Sequence, residues 1–281
     1  PAMIVKTQAI ALRVAPYSES SCLVLWMTPD QGKIMTLIKG AWRRRSLFLG
    51  QVDVFYTCEL LYYWRLNQEL HVAKECQAIQ PRAGFRSLWR AAACGSYLAA
   101  LAAWIAPRGA PLTDLYRWLE TALDYLSGGQ PLEPALFWFE LKLLSALGLA
   151  PQFSACVVCS RPLGRAAALF SSGRGGVVCP LCVQAPSVPG YALSDVGPDS
   201  LGLLRFWQAS HSWRAAQRSA CSARQLGEVD RLLGLFLQRH LEADPAPRQS
   251  ALAALRMPVG PPGRRGPALI PGRSGTCAEH S

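Results

Sequence analysis

Four cysteines carry the most specific chemistry in this sequence. Two residues lie between Cys156 and Cys159, as between Cys179 and Cys182, and nineteen residues separate the pairs. Each CxxC turn points two thiolates at one spot. Two such turns complete the closed tetrahedral shell of a structural Zn²⁺. Four thiolates leave no position for water, so a catalytic zinc is a poor match. Gly173, Gly175 and Gly176 precede the second pair, where a hairpin has to reverse the chain, and Phe170, Val177 and Val178 supply apolar backing. A redox pair or two chance motifs would read alike, but the cytosolic character of the chain argues against them. A second cluster is basic: Lys39, Trp42, Arg43, Arg44 and Arg45 form the densest positive run. Guanidinium groups suit phosphates and an indole can stack on a base, a combination matched to single-stranded nucleic acid. Lys33, in the preceding turn, extends the same positive track. The competing reading is a solvated loop whose Trp42 packs back on its own domain.

Catalysis finds no comparable support. His71, His211, His240 and His280 are scattered, and there is no Walker loop, no GxGxxG after a strand and no HExxH. The acidic residues form no cluster suited to Mg²⁺. The legible chemistry is binding, and the reading is that of a non-enzyme. A formal charge of +11 points to an acidic partner, nucleic acid before anionic membrane. Zinc and four thiolates would lower that charge to about +9.

The elements that must position these residues follow from periodicity. Residues 4–14, 22–27, 33–39, 52–64 and 69–78 read as five short strands, with a turn at Thr28, Pro29, Asp30, Gln31 and Gly32. Five strands in about eighty residues suit a small closed barrel, an OB-fold first and an SH3-like barrel second. Helical patterns follow at 85–105, 113–126 and 134–147, then at 199–213 and 223–241. The uncharged run 91–106 is short for a bilayer span and reads as the central buried helix of a bundle. Residues 185–190 read as a stiff linker, and beyond Pro258 the Gly, Pro and Arg composition predicts a disordered tail. The expected class is α+β. The expected order is an OB-fold barrel (1–80), a helical bundle (81–150 and 186–250) with an inserted four-cysteine zinc ribbon (151–185), and a tail (251–281). Ten cysteines with no visible signal peptide make the cytoplasm the expected location.

This order resembles the RecO family of recombination mediators. The resemblance is carried by residues 6–12, by Tyr17, Ser18, Glu19 and Ser20, by residues 28–33, and by Lys39, Gly40, Ala41, Trp42, Arg43 and Arg44. It continues through Phe170, Ser171, Gly175, Gly176 and the second cysteine pair, and ends on His240, Leu241, Arg248, Gln249 and Ser250. Pro1, Ala2 and the residues after Arg256 depart from it. The resemblance implies a non-enzymatic, nucleoid-associated DNA-repair protein. Such a protein binds single- and double-stranded DNA, anneals complementary strands, and works with RecR and single-strand-binding protein to load RecA. It makes Lys39, Trp42, Arg43, Arg44 and Arg45 the leading DNA contacts and Lys33 a second choice. Two rival readings share the same features: a zinc-ribbon RNA- or ribosome-associated protein, and a protein-binding scaffold of incidental charge.

Overall fold

The computed structural model describes residues 3–65, 68–129, 133–164, 168–184 and 193–258. The linker at 185–190, Arg165 and the tail beyond Pro258 lie outside the described residues. The chain is mixed α+β. Its first part is a closed five-stranded barrel of β1 (Met3–Pro16), β2 (Cys22–Thr28), β3 (Gly32–Ile38), β4 (Thr57–Trp64) and β5 (Leu70–Gln80), in the order β1-β2-β3-β5-β4. All neighbours are antiparallel except β3 and β5. Alternation puts Ala9, Val24, Trp26, Ile34, Leu60 and Tyr62 inside. The Trp26 indole satisfies its N–H on the Thr36 hydroxyl at 2.8 Å.

A register shift between Ala11 and Arg13 breaks the alternation of β1. Leu12 thereby joins Ile10, Met27 and Phe55 in a second core shared with the helices. Phe55 holds a positive φ of 71° and donates its amide to the Ala11 carbonyl, while the Ala11 amide donates to the Tyr56 carbonyl, so β4 begins at Thr57 and not at 52 as the periodicity suggested.

The helical part consists of α1 (Trp89–Ile105), α2 (Thr113–Ser127), α3 (Glu133–Ala146), α4 (Pro180–Val183), α5 (Pro198–Ala209), α6 (Trp213–Gln217), α7 (Ala223–Leu241) and α8 (Pro245–Arg256). Three boundaries correct the sequence reading. The first helix starts at Trp89, because Gly84 sits in a 3-10 turn where a Cβ would lie 2.0 Å from the Ser127 carbonyl oxygen. The helix expected over 199–213 ends at Ala209, and Ser212 caps a separate short helix by accepting the Arg214 amide. Residues 251–256, assigned above to the tail, are the second half of α8, which Asp244 caps. None of these helices is long and apolar enough to cross a membrane.

Between α3 and α5 lies a small cysteine module, a sheet of order β7-β6-β8 made from β6 (Ala168–Ser171), β7 (Gly176–Val178) and β8 (Leu193–Val196). Phe153 and Phe170 place the module against Phe236 of α7, so one apolar core runs from the barrel face through the helices into the module.

Candidate functional site

The four cysteines meet. Their Sγ atoms all lie within 4.8 Å of one another, with Cys159 and Cys179 at 3.8 Å. A tetrahedron with Zn–S bonds of about 2.3 Å has an edge of about 3.8 Å, so the donor set fits zinc in type, number and spacing. Local sequence builds the first turn. Ser160 takes φ 59° and donates its amide to the Cys156 carbonyl, reversing the chain directly after Cys159. The second pair straddles the start of α4, with Pro180 in its first turn. Gly176 is required by close approach: a Cβ there would lie 2.5 Å from the Gln152 carbonyl oxygen. That approach lets the Gln152 carbonyl accept from Val177 and the Val177 carbonyl accept from Val157, stitching the first turn to the hairpin.

Burial disfavours the thiolate of Cys156. The amides of Cys179, Cys159 and Val158 outweigh burial and bring this thiol down to about 6. Cys182, hydrogen-bonded to the sulfurs of Cys159 and Cys179, is pushed up to about 12. Bound there, zinc would supply a structural cross-link between the two turns. The remaining described cysteines, among them Cys22, Cys58, Cys76 and Cys94 in buried positions, lie outside this cluster.

The basic cluster occupies the long connection between β3 and β4. Its first residues are pinned to the β1–β2 turn: the Gly40 amide donates to the Ser21 hydroxyl and the Trp42 amide to the Ser20 carbonyl. Gly40 takes φ 66°, and the Arg43 side chain lies against it. Lys39, Arg43, Arg44 and Arg45 are exposed, and among the described residues none has an acidic partner within 4 Å. Trp42 is 44% exposed. Two features here escaped the sequence reading. Tyr17, in the turn that anchors this connection, is an exposed aromatic, and Leu47 is almost fully exposed beside the arginines. Tyr17 lay inside a motif noted only for its resemblance, and Leu47 belongs to no motif at all.

Lys33 is held against the helical part. Its ammonium donates to the Ala103 carbonyl at 2.8 Å, in the last turn of α1, and burial lowers its pKa. A cation at a helix C-terminus satisfies a carbonyl that has no partner within the helix. The whole turn 28–33 docks on residues 107–112: the Lys33 amide bonds Pro107, Gly109 bonds Gln31, and Leu112 bonds Pro29. Gly32, at φ 61°, would drive a Cβ to 2.4 Å from the Pro107 oxygen. This motif joins barrel to helices. Arg82 makes a separate joint between barrel and helices, buried with a left-handed backbone and bonding Asp124, the Phe55 carbonyl and Thr57.

Known proteins share this arrangement of sequence. Residues 3–82 match the family model described as recombination protein O N terminal, and residues 86–249 match the one described as recombination protein O C terminal. The protein of Anaeromyxobacter sp. (strain K) named DNA repair protein RecO is 30% identical over 237 residues, 84% of this chain and 91% of its own. The RecO protein of Rhodopirellula baltica is 32% identical over 182 residues, 64% of this chain and 67% of its own. That of Syntrophus aciditrophicus is 27% identical over 201 residues, covering 71% and 76%.

Proposed function

This chain belongs to the RecO family, and from that premise we propose that it is a DNA-repair protein acting by binding and not by catalysis. It binds single- and double-stranded DNA, anneals complementary strands, and works with RecR and single-strand-binding protein to load RecA in the cytoplasm. The observation that carries this reading is the connection at 39–56: four exposed cations with no acidic partner among the described residues, beside a half-exposed indole, at the rim of a small barrel. Unpaired cations release counterions when they meet phosphates, and they read no sequence. Annealing needs that property, because either strand has to be neutralised without being locked in register. The strand order and the parallel β3–β5 pair support an OB-fold reading, and OB-folds present such grooves to oligonucleotides.

The cysteine module is read as a zinc ribbon holding one structural Zn²⁺ on Cys156, Cys159, Cys179 and Cys182. Structural zinc contributes folding free energy directly. Cys179→Ser is expected to lose the metal and lower thermal stability. Protein purified without chelator that shows no zinc by elemental analysis sinks the assignment. The function itself is tested by annealing complementary oligonucleotides with and without single-strand-binding protein. Acceleration that persists on coated strands supports the reading. RNA binding without DNA annealing favours the RNA-associated alternative. Absence of salt-dependent DNA binding favours a scaffold.

A further inference from the structure

A second basic and aromatic surface lies on the helical part, away from the β3–β4 connection. Residues 200–227 contain no Asp or Glu and four arginines: Arg205, Arg214, Arg218 and Arg224. Two of these are committed. Arg205 donates to the Phe153 and Gly164 carbonyls, bracing the cysteine module, and Arg224 pairs with Glu228. Arg214 and Arg218 are exposed, and no acidic partner lies within 4 Å of either among the described residues. They stand about one turn apart, Arg214 on α6 and Arg218 at its C-cap, about 6 Å along the axis.

Their support is firm. Ala216 is fully buried, Trp213 stacks on Tyr125 at 4.0 Å, and the Trp207 indole donates to the Ser219 hydroxyl at 2.9 Å. This anchoring fixes which face of α6 is turned outward. Beside the two guanidinium groups, Phe206 is 52% exposed while its neighbour Trp207 is fully buried. Phe206 lines both an open hollow of about 380 Å³, shared with Ser212, Arg214 and Arg218, and a neighbouring one of about 790 Å³. The larger hollow contains Asp199, which repels phosphate.

We propose that Phe206, Arg214 and Arg218 form a second single-stranded DNA site, holding one strand while the β3–β4 connection holds the other. The backbone runs over the two arginines and a base lies on the Phe206 ring, the pairing of charge and aromatic face that single strands require. This inference rests on the reading of the chain as an annealing protein. Annealing by one molecule needs two strands held at once, and a single basic loop holds one.

The test uses the full chain and two short oligothymidylates of different colour. One is immobilised at a length that seats a single copy, and the other is offered in solution. Wild type is expected to retain both. R214A/R218A is expected to keep its thermal midpoint and its hold on the immobilised strand, while capture of the second strand falls on the order of tenfold. The salt slope of that capture should flatten by about 1.4, two phosphates at about 0.7 each. F206A should weaken capture and leave the slope unchanged. Undiminished capture in R214A/R218A overturns the inference, as does a loss confined to binding of an acidic peptide. R43A/R44A/R45A separates the two readings: if it still holds both strands at once as wild type does, the function proposed for the β3–β4 connection fails, whatever R214A/R218A shows.

Discussion

Arg43, Arg44 and Arg45 of the barrel and Arg248 of the helical part have the same side chain and opposite surroundings. Arg43, Arg44 and Arg45 are exposed, with no acidic partner within 4 Å among the described residues. Arg248 is buried, bonding Glu140 through Nε at 2.7 Å and Asp230 through Nη1, while the Tyr97 hydroxyl donates to the same Glu140 carboxylate at 2.7 Å. Arg256 extends that network to Glu133 and Asp230 on the surface. Desolvation decides the difference. A buried guanidinium is tolerated only when its hydrogen bonds and charge are answered, whereas an exposed one stays ready for a ligand. Net charge counts both kinds alike, so +11 overstates the surface open to DNA.

Breaking the buried side should have the largest effect. Arg248→Met strands Glu140 in the core and should cost about 3–5 kcal/mol of stability, read by chemical denaturation, with the salt slope of DNA binding unchanged in whatever protein folds. Retention of full stability would remove the contrast. On the exposed side, R43A/R44A/R45A should leave the thermal midpoint in place and flatten the log–log salt slope on single strands by about 1.5. With Lys33 withdrawn, Lys39 and two arginines acting together give a wild-type slope near about −2.

Trp42→Ala sharpens the contrast between stacking and charge. It should weaken single-strand binding by about 1–3 kcal/mol with the slope nearly constant, and cost much less on duplex, whose bases already stack on each other. A fall in melting temperature with intact affinity would instead make the ring part of the barrel's packing. The smallest effect is expected for Lys33→Met. It should lower stability by about 1 kcal/mol through the lost bond to Ala103 and leave the DNA salt slope alone. A flatter slope in that variant would return Lys33 to the DNA track.

Much of this architecture is written locally. Alternation marks the five strands, the two CxxC turns and their glycines mark the cysteine cluster, and residues 39–45 announce an exposed basic turn whatever surrounds them. The missed features are those where a residue's role depends on a distant partner. Lys33 read as a DNA contact and Arg248 only as part of a resemblance, because their partners, Ala103 and Glu140, lie 70 and 108 residues away. Residues 251–256 read as the start of a tail because α8, short and weakly patterned, gains its apolar face only by packing on α1.

The sequence by itself determined the strand pattern, the four metal-type ligands and the identity of the basic cluster, since each depends on spacing along the chain. Tertiary structure alone decided which cations are free. It assigned Lys33 to a helix end, Arg82 to the barrel–helix junction and Arg248 to a buried carboxylate, and it left Arg43, Arg44 and Arg45 to solvent. The physical reason is that a charge has to be answered where it is buried, and burial is a property of the folded chain.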